Sequence, residues 1–134
     1  NEKKIKVFGG RQIRPNLTMK DMINAYKFFL KKKFLKGKKL EEVIFNLGFE
    51  NLSIIEIAKR VKNTLNSDAD IIVKSSNDPR SYKQHSSRIL KAGFSPRYKI
   101  EDSIIELKKQ FSKNKLKKKK SCFRINTLKI IKAK

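Results

Sequence analysis

Along residues 4–8 (Lys-Ile-Lys-Val-Phe) polar and apolar side chains alternate, the period of a half-buried strand. Gly9-Gly10 follows. Both residues accept positive φ, and the pair predicts a hairpin turn with Arg11–Arg14 as the return strand and Pro15-Asn16 closing it. Thr18 then opens a helix. Thr18-x-x-Asp21 resembles a capping box with Asp in place of Glu, and Leu17 is placed to staple onto Met22. Met19, Met22, Ile23, Tyr26, Phe29 and Leu30 form a helical apolar stripe. The basic run 31–39, with Gly37, reads as a solvated loop. Val43-Ile44-Phe45, ended by Asn46-Leu47-Gly48, reads as a short buried strand.

The clearest helix comes next. Ser53 is its N-cap, Glu56 completes a capping box, and Leu52 can staple onto Ile57. Ile54, Ile57, Ala58, Val61 and Leu65 share one face, opposite Lys59, Arg60, Lys62 and Asn63, and Asn66 and Asp68 end the helix. Ile71-Ile72-Val73 predicts another strand, leading into a polar loop from Ser75 to Tyr82. A short helix spans Ser86–Lys91 with Gly93 at its C′ position, and Pro96 imposes an extended link. A last amphipathic helix covers Glu101–Phe111, its acids Glu101 and Asp102 at the positive end of the macrodipole. The order β-β-α-β-α-β-α-α predicts an α+β fold: a small mixed sheet and hairpin with about four helices, not a complete doubly wound sheet. No internal repeat is visible.

At 134 residues and 15.7 kDa the chain suits one domain, residues 1–112, followed by a lysine-rich tail, 113–134. An apolar fraction of 38% supports a core despite the charge. No apolar run approaches a membrane helix, and no apolar stretch follows Asn1-Glu2-Lys3-Lys4, so neither a membrane nor a secretory signal is expected. A single Cys fits a reducing, cytoplasmic setting, and one Cys with one His argues against a zinc site. The first residue is not Met, so a piece of a longer protein is expected.

The formal net charge of +23 raises nucleic acid as a partner. Residues 112–134 carry ten Lys or Arg and no acid, and a second run spans Lys31–Lys39. Yet 28 of the 35 cations are Lys, beside 16 Ile and 10 Asn, a set that A/T-rich coding also produces. A phosphate-binding patch favours Arg, and no ribonucleoprotein, zinc-finger or KH motif is present. A small basic RNA- or DNA-binding protein, using Lys31–Lys39 and Lys113–Lys120, stays open as the alternative.

The chain has no G-x-G-x-x-G, no Walker loop, no nucleophile elbow and no Tyr-x-x-x-Lys pair. His85 reads as a helix-start residue rather than a base, and Cys122 as a plain thiol. Two arginines stand apart. Arg14 follows the glycine pair, and Arg80 sits in Asn77-Asp-Pro-Arg-Ser-Tyr82. Where Lys is so freely used, Arg at two loop positions suggests bidentate anion binding, against the plainer reading of surface charges or loop-stabilising donors.

Five stretches, in order, resemble one family. They are residues 8–22, residues 43–51 (Val-Ile-Phe-Asn-Leu-Gly-Phe-Glu-Asn) with 54–61, Asp78-Pro-Arg-Ser-Tyr82, Ala92-Gly-Phe-Ser-Pro-Arg97 and Ile100-Glu-Asp-Ser-Ile104. Together they resemble the C-terminal, substrate-binding part of the extended short-chain dehydrogenase/reductases, the NAD-dependent nucleotide-sugar epimerases and dehydratases (isomerases and lyases). The resemblance covers roughly residues 5–112, and the tail near Phe123–Leu128 more weakly. It implies that Arg14 and Arg80 contact a nucleotide diphosphate, that Asn51 lies in a loop near that site, and that Asp21 is structural. It also implies that the NAD-binding Rossmann half, with the catalytic pair, is missing before Asn1. This chain alone would then hold no NAD and catalyse nothing, and Val43–Leu47 would join the parent sheet. The surface meant for the missing half would be exposed, so self-association is expected. Three positions depart from the family: Thr18 where His is common, Lys20 where an acid is common, and Lys99 in place of a capping Ser or Thr.

Overall fold

The computed structural model describes residues 3–31 and 37–115. The elements are β1 (Lys4–Phe8), β2 (Ile13–Asn16), α1 (Met19–Lys31), α2 (Leu40–Val43), β3 (Glu50–Ser53), α3 (Ile54–Thr64), β4 (Asp70–Lys74), α4 (Ser87–Lys91) and α5 (Ile100–Ser112). They form two two-stranded sheets. β1 pairs with β4 in parallel, Ile5 opposite Ile71, and β2 pairs with β3 antiparallel, Arg14 opposite Leu52. The α+β reading holds, as do the strands at 4–8 and 71–73 and the helices after Thr18, Ser53, Ser86 and Lys99.

The hairpin does not form. Gly9 and Gly10 do take positive φ, 78° and 103°, but the turn passes the chain from one sheet to the other. Gln12 folds back over it: its Oε1 accepts from Gly10 N at 2.7 Å and its Nε2 donates to the Phe8 carbonyl. The carbonyls of Gly10 and Gln12 then accept from Ile55 N and Ile54 N, two of the otherwise orphaned donors at the start of α3. The connector is therefore committed to a helix end, and β2 pairs elsewhere.

The strand expected at Val43–Phe45 is also absent. Residue 43 ends the single turn of α2, and residues 44–49 lie in no strand; the strand is β3, at 50–53. The apolar residues of this segment have another role. Phe45, Leu47 and Phe49 pack against a cluster of Ala25, Ile89 and Phe94, while Ile44 faces out. The backbone of this segment is held by a side chain instead of a ladder: Ser86 Oγ accepts from Gly48 N at 2.9 Å and donates to the Gly48 carbonyl at 3.0 Å. Phenylalanine rings complete the core, with Phe28 edge-on to Phe94 (5.6 Å) and Phe49 stacked on Phe94 (5.8 Å).

The helix ends follow the sequence closely. Ser53 and Glu56 form a reciprocal capping box, Glu56 N to Ser53 Oγ and Ser53 N to Glu56 Oε2. Gly93, at φ 94°, closes α4: its N–H donates to the Leu90 carbonyl while Phe94 N donates to that of Ile89. That pair of bonds is a Schellman motif, with Ile89 and Phe94 in the same cluster. Lys99 supplies no side-chain cap to α5, but the Asp102 carboxylate accepts from its N–H.

Asp21 departs from the capping box. Thr18 Oγ1 accepts from Asp21 N, but the carboxylate turns inward. It is 1% exposed and accepts from the backbone N–H groups of Arg97 and Tyr98 at 2.9–3.1 Å. It thereby fastens α1 to the link before α5. A second tie joins three elements: Arg60 of α3 meets Glu50 of β3 (2.8 Å) and Glu101 of α5 (3.0 Å). On its other side α1 leaves Met19, Ile23, Tyr26 and Leu30 exposed. No helix among the described residues is long and apolar enough to cross a membrane, and no group of acids, His and Cys among them could hold a metal ion.

Candidate functional site

The loop after β4 runs back along the edge of β2. Ile13 N donates to Ser81 Oγ (3.0 Å) and Tyr82 N donates to the Ile13 carbonyl (3.3 Å), so residues 81–82 lie beside the strand. This brings Arg14 and Arg80, 66 positions apart, into direct contact: Arg14 Nη1 donates to the Arg80 carbonyl at 2.6 Å and to its neighbour Ile13 at 2.9 Å. The guanidinium of Arg14 also lies 4.9 Å from the centre of the Tyr82 ring.

Asp78 stands between the two arginines. Arg80 grips it with two parallel bonds, Nε to Oδ1 at 2.7 Å and Nη2 to Oδ2 at 3.0 Å, and Arg14 Nη2 reaches Oδ2 at 3.3 Å. Arg80 N also donates to Asp78 Oδ1, an Asx-type turn. These bonds, those from the Arg80 side chain and backbone first and the nearby charges after them, lower the Asp78 pKa from 3.8 to about 2. The same pairing raises the Arg80 pKa. The three groups together carry a net charge of +1.

The two arginines differ in availability. Arg14 is mostly covered, its side chain 23% exposed and bonded to its own chain, whereas Arg80 is 78% exposed. Asn51 lies opposite Pro15 in the β2–β3 pair, and both ends of its amide are engaged with the Gln84 backbone: Oδ1 accepts from Gln84 N (2.9 Å) and Nδ2 donates to Gln84 O (3.1 Å). It secures the far end of the same loop. His85 enters only through its carbonyl, which accepts from Asn46 Nδ2. The lysine runs at 32–36 and 116–120, and Cys122, lie outside the described residues.

Sequence reasoning missed Asp78, Gln12 and Ser81. A signal for Asp78 was present, since Asp-Pro-Arg is an Asx-turn pattern in which the carboxylate meets the N–H two residues on. Two cavities lie elsewhere. One of about 90 Å³ is lined by Thr18, Asp21, Glu50 and Tyr98, and one of about 340 Å³ by Lys27, Phe28, Lys31, Phe94 and Arg97. In a Rossmann fold the dinucleotide sits on a strand that runs through a glycine-rich turn into a helix, and the described residues contain no such unit.

No family model matches the chain, and no curated protein matches it in sequence. Solved structures do. A GDP-6-OMe-4-keto-L-xylo-heptose reductase from Campylobacter jejuni superposes with a TM-score of 0.69 at 18% identity, over 83% of this chain and 34% of that one. A GDP-D-glycero-L-gluco-heptose synthase from Campylobacter jejuni, in the presence of NADPH, gives 0.66 at 18% identity, over 81% and 33%. A GDP-mannoheptose C4 reductase from Campylobacter jejuni with NADP bound gives 0.60 at 19% identity, over 75% and 30%. The chain thus spans about a third of the length of these enzymes. At such identity the likeness is one of fold: this chain shares the fold of about a third of each of these Campylobacter enzymes.

Proposed function

We propose that this chain is the nucleotide-sugar-binding part of an NAD- or NADP-dependent epimerase, dehydratase or reductase, and that Arg14 and Arg80 hold the nucleotide diphosphate. The observation that carries this reading is the convergence of the two arginines on one loop at the edge of β2. A nucleotide sugar bears two negative charges on its diphosphate, and two guanidiniums meet them with paired, charge-assisted bonds. The fold neighbours are named for GDP-linked heptoses, and two of them were solved with NADPH or NADP, which supports the substrate class and the cofactor of the parent protein. Asn51 serves the site by fixing the loop that carries Arg80.

In this reading hydride transfer belongs to the other two thirds of the parent protein, and this chain alone binds without turning over. The exposed stripe of Met19, Ile23, Tyr26 and Leu30 is the surface that the NAD-binding half covers. In its absence the stripe drives self-association, and a monomer by analytical ultracentrifugation at high concentration counts against this. The binding reading is tested by titrating the chain with GDP, UDP and dTDP sugars, and in parallel with a short RNA, while amide signals are followed. Shifts confined to residues around Arg14 and Arg80, lost in Arg14→Ala and Arg80→Ala, are expected. Shifts that appear only with RNA and follow the lysine runs overturn the reading in favour of nucleic acid.

A further inference from the structure

The diphosphate reading uses both arginines and leaves the carboxylate between them without a task. By charge alone Asp78 is a hindrance, since it lowers the site from +2 to +1. Its geometry points the other way. An arginine has five N–H donors in a planar fork. Arg80 gives Asp78 its side edge, Nε–H and one hydrogen of Nη2. Its end edge, Nη1 with the other hydrogen of Nη2, meets no acceptor among the described residues. The side chain is 78% exposed, so Asp78 and the Asx turn at Arg80 N are what fix its direction. Asp78 is in turn tied to β2 through Arg14 Nη2, and to the connector before β2 through the bond from Gln12 Nε2 to its own carbonyl.

We propose that Asp78 is a positioning residue of the anion site: it grips Arg80 by one edge of its guanidinium, so that the other edge stands ready as a two-pronged donor for a phosphate of the nucleotide diphosphate. This rests on the diphosphate reading above. Without Asp78 the arginine keeps its charge and loses its aim, and the ordering cost moves to the binding step. That cost corresponds to about two- to tenfold in affinity.

The test sets two signs against each other. The full chain, Asp78→Ala and Asp78→Asn are titrated with GDP and with UDP by calorimetry, at low and at elevated salt. Coulomb attraction alone makes both variants bind more tightly, because each gains one unit of positive charge. Positioning makes both bind more weakly, with the deficit surviving added salt, and makes Asp78→Glu recover part of it. A second readout needs no ligand. The Arg80 Nε–H resonance is sharp and slow to exchange in the wild type and is averaged in both variants. Asp78→Asn keeps the side chain's shape, so it carries the test if Asp78→Ala loses its dispersed amide spectrum. Tighter or unchanged binding in the variants, with wild-type binding that depends on Arg80, overturns this inference alone. A wild type that binds neither GDP nor UDP, or an Arg80→Ala that binds as well as wild type, overturns the diphosphate reading and this inference together.

Discussion

Two aspartates in this chain accept similar numbers of hydrogen bonds and do opposite kinds of work. Asp21 is 1% exposed, and its partners are the backbone amides of Arg97 and Tyr98. Asp78 lies in a surface loop, and its partners include the guanidiniums of Arg14 and Arg80. A buried carboxylate that satisfies backbone amides cannot be removed without leaving them unpaired, so its value lies in stability. A carboxylate that pairs in a surface loop with an exposed arginine is screened by solvent, so its value in stability is small. What it controls is the direction of a charge.

That contrast predicts a wide spread of mutant effects. The largest belongs to Asp21→Ala, which strips the acceptor from the part-buried N–H groups of Arg97 and Tyr98 and lowers unfolding free energy by about 2 kcal/mol. Urea denaturation reads it directly, and a loss below about 1 kcal/mol erases the distinction drawn above. Next comes Arg80→Ala, which weakens nucleotide-diphosphate binding roughly tenfold to a hundredfold while leaving the urea midpoint where it was. A midpoint shift comparable to that of Asp21→Ala makes the loop a structural element like the other.

The smallest effect is in acid. The Asp78 carboxyl titrates at about 2 in the folded chain against 3.8 unperturbed. Its folded pKa is depressed, so the stability it contributes is fully present above about 3.8 and is lost as pH falls toward 2. Carboxyl-carbon NMR of the side chain places the midpoint. In Asp78→Asn the corresponding slope of stability against pH between 4 and 2 is shallower than in wild type. An Asp78 midpoint at its ordinary value breaks the pairing with Arg80 on which the comparison depends.

Much of the fold was legible because it depends on neighbours in sequence. The Ser53–Glu56 box, the left-handed Gly93 and the alternation at 4–8 are settled within a few residues, and each lies where the pattern put it. The failures are long-range. Nothing local says that β1 pairs with β4 in parallel rather than with the strand that follows its glycine turn. The short apolar run at 43–45 suggested a strand, but Phe45, Leu47 and Phe49 serve the phenylalanine core, and a serine hydroxyl satisfies the backbone as well as a ladder does. At the candidate site the scarcity of Arg marked Arg14 and Arg80, and the family resemblance gave them a shared ligand. Their approach to one another depends on the loop folding back along β2, a non-local event. Asn51 shows the same limit, since no spacing reveals that the Gln84 backbone occupies its amide.

The loop that bears Arg80 leaves β4 in one sheet and is bonded to the edge of β2 in the other. Whatever grips Arg80 therefore also clasps the two sheets together. Occupancy of the site becomes a matter of chain survival, because exposed loops are where proteases first cut, and cutting follows the fraction of time a segment stands open. On the proposed function, a diphosphate held by Arg14 of β2 and by Arg80 of the loop slows the first nick between residues 75 and 85.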